Sequence, residues 1–297
     1  MRLLDTNTAG FRDIDDPNDA RYAILSHVWD HTDGEQSLQV NPRAISLDLD
    51  EACPASLTVL SAKNRECCVF ARMNGYRYVW IDTCCIDRLS SAELSEAINS
   101  MYEWYSRATV CYAFLADVDD LEDPRSPTSL FRRSKWFTRG WTLQELIAPA
   151  EVFFLSRDWR IIGTRETLAN VIEEITGIDA DILTHRRTLD SVSIARRMSW
   201  ASKRRTSRVE DEAYSLMGIF GVHMPTIYGE GRNAFFRLQR EIIEHCADQS
   251  IFAWGHIFPD STESTSTFQS SSTTTTVHRA PSRFLHVKIR PATSLHS

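Results

Sequence analysis

Four short apolar runs, each ending abruptly in polar or acidic side chains, constrain what this chain can fold into more than any other feature. They are "YAILSHVW" (22–29), "YRYVWIDTCCID" (76–87), "TVCYAFLADV" (109–118) and "EVFFLS" (151–156). Runs of this length and apolarity read as strands buried on both faces, the 22–29 run being the first strand. Helical periodicity fills the intervals. Residues 57–74 put Leu60, Cys67, Cys68 and Ala71 on one side, with Gly75 as a stop. Residues 92–107 place Leu94, Ala97, Ile98, Met101, Trp104 and Tyr105 at helical spacing, and a short helix is predicted around 141–147. Strands alternating with helices predict an α/β fold, a mostly parallel sheet flanked by helices, with ligands beyond the C-terminal ends of the strands. Ser26, His27 and Asp82 should therefore converge on one edge of the sheet.

From about residue 165 the pattern turns helical, over 165–176, 191–203, 210–220 and 232–246, with "HMPTIYGEG" (223–231) as a loop. The expected division is an α/β domain over 1–160, a helical extension over 161–256 and a tail over 257–297. The extension should pack on the sheet, because Ile219-Phe220 and Phe235-Phe236 need a partner surface. The tail, with "STESTSTFQSSSTTTT", is too polar to offset its ordering entropy and is expected to be disordered. The polar stretch 30–54 receives no assignment.

Charge and cysteine usage narrow the function classes. With 33 Lys+Arg against 40 Asp+Glu the net charge is −7, which disfavours nucleic acid and anionic membranes as partners. Lys203-Arg204-Arg205 reads as a solvated helix face. The N-terminus lacks the apolar segment of a secretory signal, and no run approaches the roughly 20 apolar residues of a membrane span, so a soluble cytoplasmic protein is expected. The seven cysteines are an odd number and include two adjacent pairs, which suits neither a disulfide framework nor a metal site. They are expected to be reduced and mostly buried, with no metal and no bound cofactor.

Taken in order, "YAILSHVW", "YVWIDTCCIDRLSSAELSEAINSMYEWY", "SKWFTRGWTLQELIAP" and "EDEAYSLMGIFGVHMPTIYGEGRNAF" closely resemble the fungal heterokaryon-incompatibility (HET) domain, from about residue 2 to 244. The resemblance implies a role in non-self recognition, in which contact between genetically different fungal cells triggers programmed cell death. Asp30 departs from the family, whose first block ordinarily has glycine there, and 30–54 fits it poorly. Many relatives continue into a nucleotide-dependent oligomerisation module and repeats, so a regulator acting in trans, or a short family member, is expected. A more distant likeness is to the Toll/interleukin-1-receptor (TIR) domain. It rests on strand-with-Ser, strand-with-Asp, helix, strand, then Ser-x-Trp…Trp-x-x-x-Glu-Leu. In TIR domains that cleave NAD, the glutamate of the corresponding helix is catalytic, which points to Glu145 in this sequence.

Cleavage of the nicotinamide–ribose bond leaves positive charge on the ribose, and a carboxylate beside the sugar stabilises it. On that analogy Glu145 is the catalytic residue and NAD the substrate. Trp29 or Trp141 would stack on a flat ring, Arg139 would pair with a diphosphate, and Ser26 would hydrogen-bond the substrate. Each residue also has a plainer role open to it. Glu145 could cap a helix or pair with Arg139, and His27 could be a general base or a structural hydrogen-bonder. Asp82 could bind substrate or cap the turn after its strand. Cys84-Cys85 could be nucleophilic or simply packed, and Trp136 and Trp141 could be core anchors. "YGEG" (228–231) is too poor in glycine for a phosphate loop and reads as a turn. Two functions remain in view, an NAD glycohydrolase and a non-enzymatic scaffold that self-associates or recruits a protein partner.

Overall fold

The computed structural model describes residues 1–29, 57 and 60–252; Asp30, the stretch 30–54 and the tail 257–297 lie outside the described residues. The chain opens on two strands, β1 (Arg2–Asp5) and β2 (Phe11–Asp13), so the run at 22–29 is the third strand and not the first. Segments of four and three residues are too short to show a period, which is why they escape a pattern search. β3 (Tyr22–His27) follows, every residue buried, then α1 (Ala62–Met73). That helix starts later than the pattern suggested, at the Ser61 cap, whose hydroxyl accepts from the Asn64 amide. It ends where predicted: Gly75 adopts φ 82°, a left-handed conformation glycine takes without strain.

The run 76–87 is only in part a strand. β4 (Tyr78–Trp80) gives way to a helical turn, α2 (Asp82–Cys85), whose Cys85 amide donates to the Ile81 carbonyl. α3 (Ser91–Arg107) is capped by the Ser90 side chain and buries Ala97, Ile98, Met101, Trp104 and Tyr105, the stripe read from the sequence. β5 (Val110–Phe114), α4 (Leu130–Arg133), α5 (Thr142–Ile147), β6 (Val152–Leu155) and β7 (Ile161–Thr164) complete the sheet.

Among the described residues the strands form one seven-stranded sheet in the order β2-β1-β4-β3-β5-β6-β7. β4, β3, β5 and β6 are parallel, and antiparallel strands flank them on both sides. The α/β reading holds, and β7 carries the sheet past residue 160. β3 pairs with β4 on one side and β5 on the other, so the chain reverses its direction of winding there. A crevice opens beyond the strand ends at such a switch point, and ligands of open α/β sheets bind in it.

The remainder is helical: α6 (Ala169–Thr176), α7 (Ala180–Leu183), α8 (Ile194–Ala201), α9 (Asp211–Tyr214), α10 (Met217–Phe220) and α11 (Asn233–His245). The single helix expected over 210–220 is broken at Ser215 and Leu216 into α9 and α10. Buried side chains of these helices, including Trp200, Ile219 and Leu238, join the same core as β3 and α3. Each fully buried Leu or Ile contributes about 1.5–3 kcal/mol to that cohesion.

One close approach is at Gly218 of α10. A Cβ there would lie 2.1 Å from the Tyr102 Cβ on α3, so only glycine lets the two helices touch. Gly218→Ala is expected to lower unfolding stability by about 3 kcal/mol through overpacking, read as a drop in the urea midpoint. An unchanged midpoint would mean that α10 slides freely on α3.

Candidate functional site

β3 and β4 deliver their last residues to the switch point. His27 ends β3, Trp29 follows it, and Asp82 sits in the first turn after β4. Across this edge lies α5, buried along its whole length, including Gln144 and Glu145. Between them is a cavity of about 170 Å³ lined by His27, Trp29, Asp82, Arg139, Trp141 and Glu145, among others. Cavities near 150 Å³ hold a single aromatic ring, so this one suits a ring-sized group and not a whole dinucleotide. Six of the seven residues singled out from the sequence therefore meet at one hollow.

Ser26 does not. Its side chain is fully buried and its hydroxyl is engaged from both sides, accepting from Trp136 Nε1 (2.8 Å) and donating to Glu145 Oε2 (2.5 Å). The expectation that Ser26 touches substrate is thus corrected: the alternating pleat of β3 turns Ser26 into the core and His27 toward the cavity. Ser26 positions Glu145 instead. Trp136, 0% exposed, is a core anchor, and its ring packs edge-on against Phe137 and Phe154.

Glu145 is 7% exposed and lines the cavity. Burial pushes its carboxyl up to about 8; the Ser26 hydrogen bond opposes this, Asp82 adds to it, and Arg139 and Arg204 oppose it from a distance. The anticipated Arg139–Glu145 ion pair does not form among the described salt bridges; the Arg139 guanidinium lies 5.8 Å from the centre of the Trp29 ring. Glu145 is therefore neutral over most of the physiological range, and can donate a proton or ionise when a cation enters.

The cavity walls repeat one arrangement twice. On one side Trp29 Nε1 donates to Asp82 Oδ2 (2.8 Å), while Arg88 covers the Trp29 ring at 3.8 Å and approaches the same carboxylate oxygen at 3.4 Å. Asp82 does not cap α2, whose cap position is Ile81; it holds Trp29 in place. His27 Nε2 lies 3.8 Å from Asp82 Oδ1. On the other side the Tyr228 hydroxyl donates to Asp211 Oδ1 (2.9 Å), the Trp141 side chain lowers the proton affinity of the same carboxyl, and Arg208 sits 4.4 Å over the Tyr228 ring. Burial raises the Asp211 carboxyl above its usual value.

Arg88, Tyr105, Arg208, Asp211 and Tyr228 were missed in the sequence. Tyr105 was visible only as one member of a core stripe; its hydroxyl donates to the Leu25 carbonyl at the cavity wall. Arg208, Asp211 and Tyr228 stand 63, 66 and 83 positions after Glu145, and no local spacing announces them. "YGEG" is a turn, as read, with Gly229 at φ 102° and Gly231 at φ 60°. Both their amides donate to Glu210 Oε1, which ties the Tyr228 loop to the start of α9.

Two buried arginines hold α5. Arg204 was read as part of a solvated face, but it is 7% exposed and donates to the Arg139 carbonyl and to Thr142 Oγ1, both at 2.9 Å. Arg165 donates to the Leu146 and Ala150 carbonyls at the other end of the helix (2.8 and 2.7 Å). Cys84 and Cys85 are buried, and the neighbouring thiol together with burial raises the Cys84 thiol far above its usual value, which disfavours Cys84 as a nucleophile. No helix among the described residues is long and apolar enough to cross a membrane.

A family model described as "Heterokaryon incompatibility protein (HET)" matches residues 22–125, and one described as a domain of unknown function (DUF8212) matches residues 233–295. The chain is 43% identical over 251 residues to the vegetative incompatibility protein HET-E-1 of Podospora anserina. That alignment covers 82% of this chain and 18% of the relative's length. No solved structure matches the chain.

Proposed function

From the premise that this chain is a fungal HET-domain protein, we propose that it is an effector of heterokaryon incompatibility that triggers cell death by a TIR-like cleavage of NAD. The observation that carries the chemistry is Glu145, whose carboxyl lines a ring-sized cavity at the switch point of the sheet, between the aromatic walls of Trp29 and Trp141. In this reading the nicotinamide ring enters the cavity and the rest of the dinucleotide lies outside it. The bond from the ring nitrogen to the ribose breaks with both electrons going to nicotinamide, which leaves neutral. The ribosyl cation is stabilised by ionised Glu145 and captured by water, which gives up a proton, so the products are ADP-ribose, nicotinamide and H⁺.

Electrostatics favour this order of events. The ring nitrogen of bound NAD is cationic, and a positive charge beside a buried carboxyl favours its ionised form. Substrate entry and loss of the Glu145 proton are therefore coupled. Because the free carboxyl titrates near 8, kcat/KM is expected to rise with pH and level off above about 8. Glu145→Ala should abolish NAD consumption by the purified chain while circular dichroism stays native. If wild-type protein at high concentration leaves NAD intact across that pH range, the enzymatic reading falls.

A second reading, a non-enzymatic scaffold that self-associates or recruits a protein partner, is favoured by one observation. Glu145 Oε2 is tied to Ser26 at 2.5 Å in a bond that a purely structural glutamate would also make. The two readings separate in the same assay. A scaffold predicts that Glu145→Ala retains death signalling in cells as long as it folds.

A further inference from the structure

The wall built from Tyr228, Asp211 and Arg208 matches the wall built from Trp29, Asp82 and Arg88 in composition, but among the described residues only the second contains an ion pair. Arg88 is paired, 3.4 Å from Asp82 Oδ2. Arg208 is exposed, lines the cavity and covers the Tyr228 ring, and it acts on the Asp211 carboxyl from beyond ion-pair range while that carboxyl accepts from the Tyr228 hydroxyl. Arg139, half-buried, also lines the cavity, with no carboxylate of the described residues in ion-pair range. Two guanidiniums that rest on aromatic faces at the rim, and whose donor edges make no hydrogen bond among the described residues, are placed to receive an anion outside a ring-sized hollow.

The Arg208 side is also rigid. The Tyr228 loop is pinned through Gly229 and Gly231 to Glu210 and through the Ile227 amide to the Tyr214 hydroxyl (2.7 Å), and the Tyr214 and Tyr228 rings pack edge to face at 5.5 Å. A wall fixed at this many points is pre-organised, which lowers the cost of ordering it around a ligand.

We propose that Arg208, with Arg139, forms a phosphate-binding rim on the cavity, so that the site takes phosphorylated nucleosides and is incomplete without the segment that carries Arg208 and Tyr228. Arg208 is thereby a binding residue for the phosphate, and Asp211 a positioning residue that sets Tyr228 and Trp141. The proposal rests on the Glu145 cavity being a ligand site, but it does not require that the ligand be cleaved.

The test uses the full chain carrying Glu145→Gln, so that turnover does not interfere, and titrates it calorimetrically with nicotinamide mononucleotide and nicotinamide riboside, which differ only by the phosphate. The mononucleotide is expected to bind at least about tenfold tighter, as a charge-assisted contact implies. Adding Arg208→Gln should remove that preference, with riboside affinity unchanged within about twofold and the thermal midpoint within about 2 °C, because Arg208 is exposed. Arg208→Lys should restore part of the preference, and the preference should shrink with added salt. If Arg208→Gln leaves the ratio of the two affinities intact, the phosphate rim is wrong while the cavity stands as a ligand site. If neither compound binds, both the rim and the cavity as a nucleoside site are overturned.

Discussion

Glu145→Gln should make the protein more stable, by an amount that grows with pH. Burial places the folded-state carboxyl at about 8 against an ordinary value of 4.5. Below about pH 4.5 folded and unfolded chains both hold the proton, and the group contributes no difference. Between 4.5 and 8 the unfolded chain releases the proton while the folded chain keeps it, so stability falls as pH rises through that window and levels off above it. At about 1.4 kcal/mol per unit, the loss is about 3 kcal/mol at pH 7 and about 5 kcal/mol at pH 9. Glutamine keeps an acceptor for the Ser26 hydroxyl and has no proton to lose, so the variant should escape the loss. Urea midpoints of wild type and variant at pH 4.5, 7 and 9 check this. A difference that is the same at all three values would show that Glu145 is not held neutral by burial. The expected pattern is one of a side chain retained against its own effect on stability, as side chains kept for function commonly are.

The same residue shows what the sequence made legible. The four apolar runs, the stripe on α3 and the stop at Gly75 were all readable because a parallel strand buried on both faces is nearly continuous in apolar residues and a surface helix repeats every three to four. β1, β2 and β7 were not, since strands of three or four residues outside the long apolar runs carry no period. At the site, residues delivered by strand ends were found: His27, Trp29 and Asp82 stand where a sheet of this kind exposes its chemistry. Ser26 was misjudged by one step of the pleat, which separates the core from the cavity. Arg208, Asp211 and Tyr228 arrive from a segment remote in sequence, and only the packing of α9 and of the loop after α10 at the cavity brings them to Glu145. Arg204 was misassigned because adjacent Lys203 and Arg205 are exposed, and composition cannot tell which of three consecutive basic residues turns inward.

Arg204→Met is expected to cost about 3 kcal/mol of stability and to move the pH dependence of any Glu145 chemistry in the alkaline direction. The buried guanidinium satisfies the Arg139 carbonyl and Thr142 Oγ1 at the start of α5, and its Nε donates to the Trp200 carbonyl at the end of α8. Methionine fills the same space but donates nothing, so those acceptors are left buried with fewer partners. Burying the arginine is itself unfavourable, enough to bring its guanidinium down to about 9, and this offsets part of the cost. The offset does not cancel it, because the neighbouring backbone stays fixed by the Arg205 amide to the Thr138 carbonyl (2.7 Å) and by the Gly140 amide to the Arg205 carbonyl (2.8 Å). The acceptors cannot turn away to find water. Arg204 also lowers the Glu145 proton affinity, so its removal should push that carboxyl higher still. Arg165→Met separates the two effects: it strips donors from the Leu146 and Ala150 carbonyls and should destabilise similarly, yet Arg165, unlike Arg204, is not among the main influences on the Glu145 carboxyl. Loss of stability in both variants, with an alkaline shift of the activity profile in Arg204→Met alone, would identify Arg204 as the residue that couples the helical segment to the chemistry of α5. Equal profiles would reduce Arg204 to a clamp on the helix.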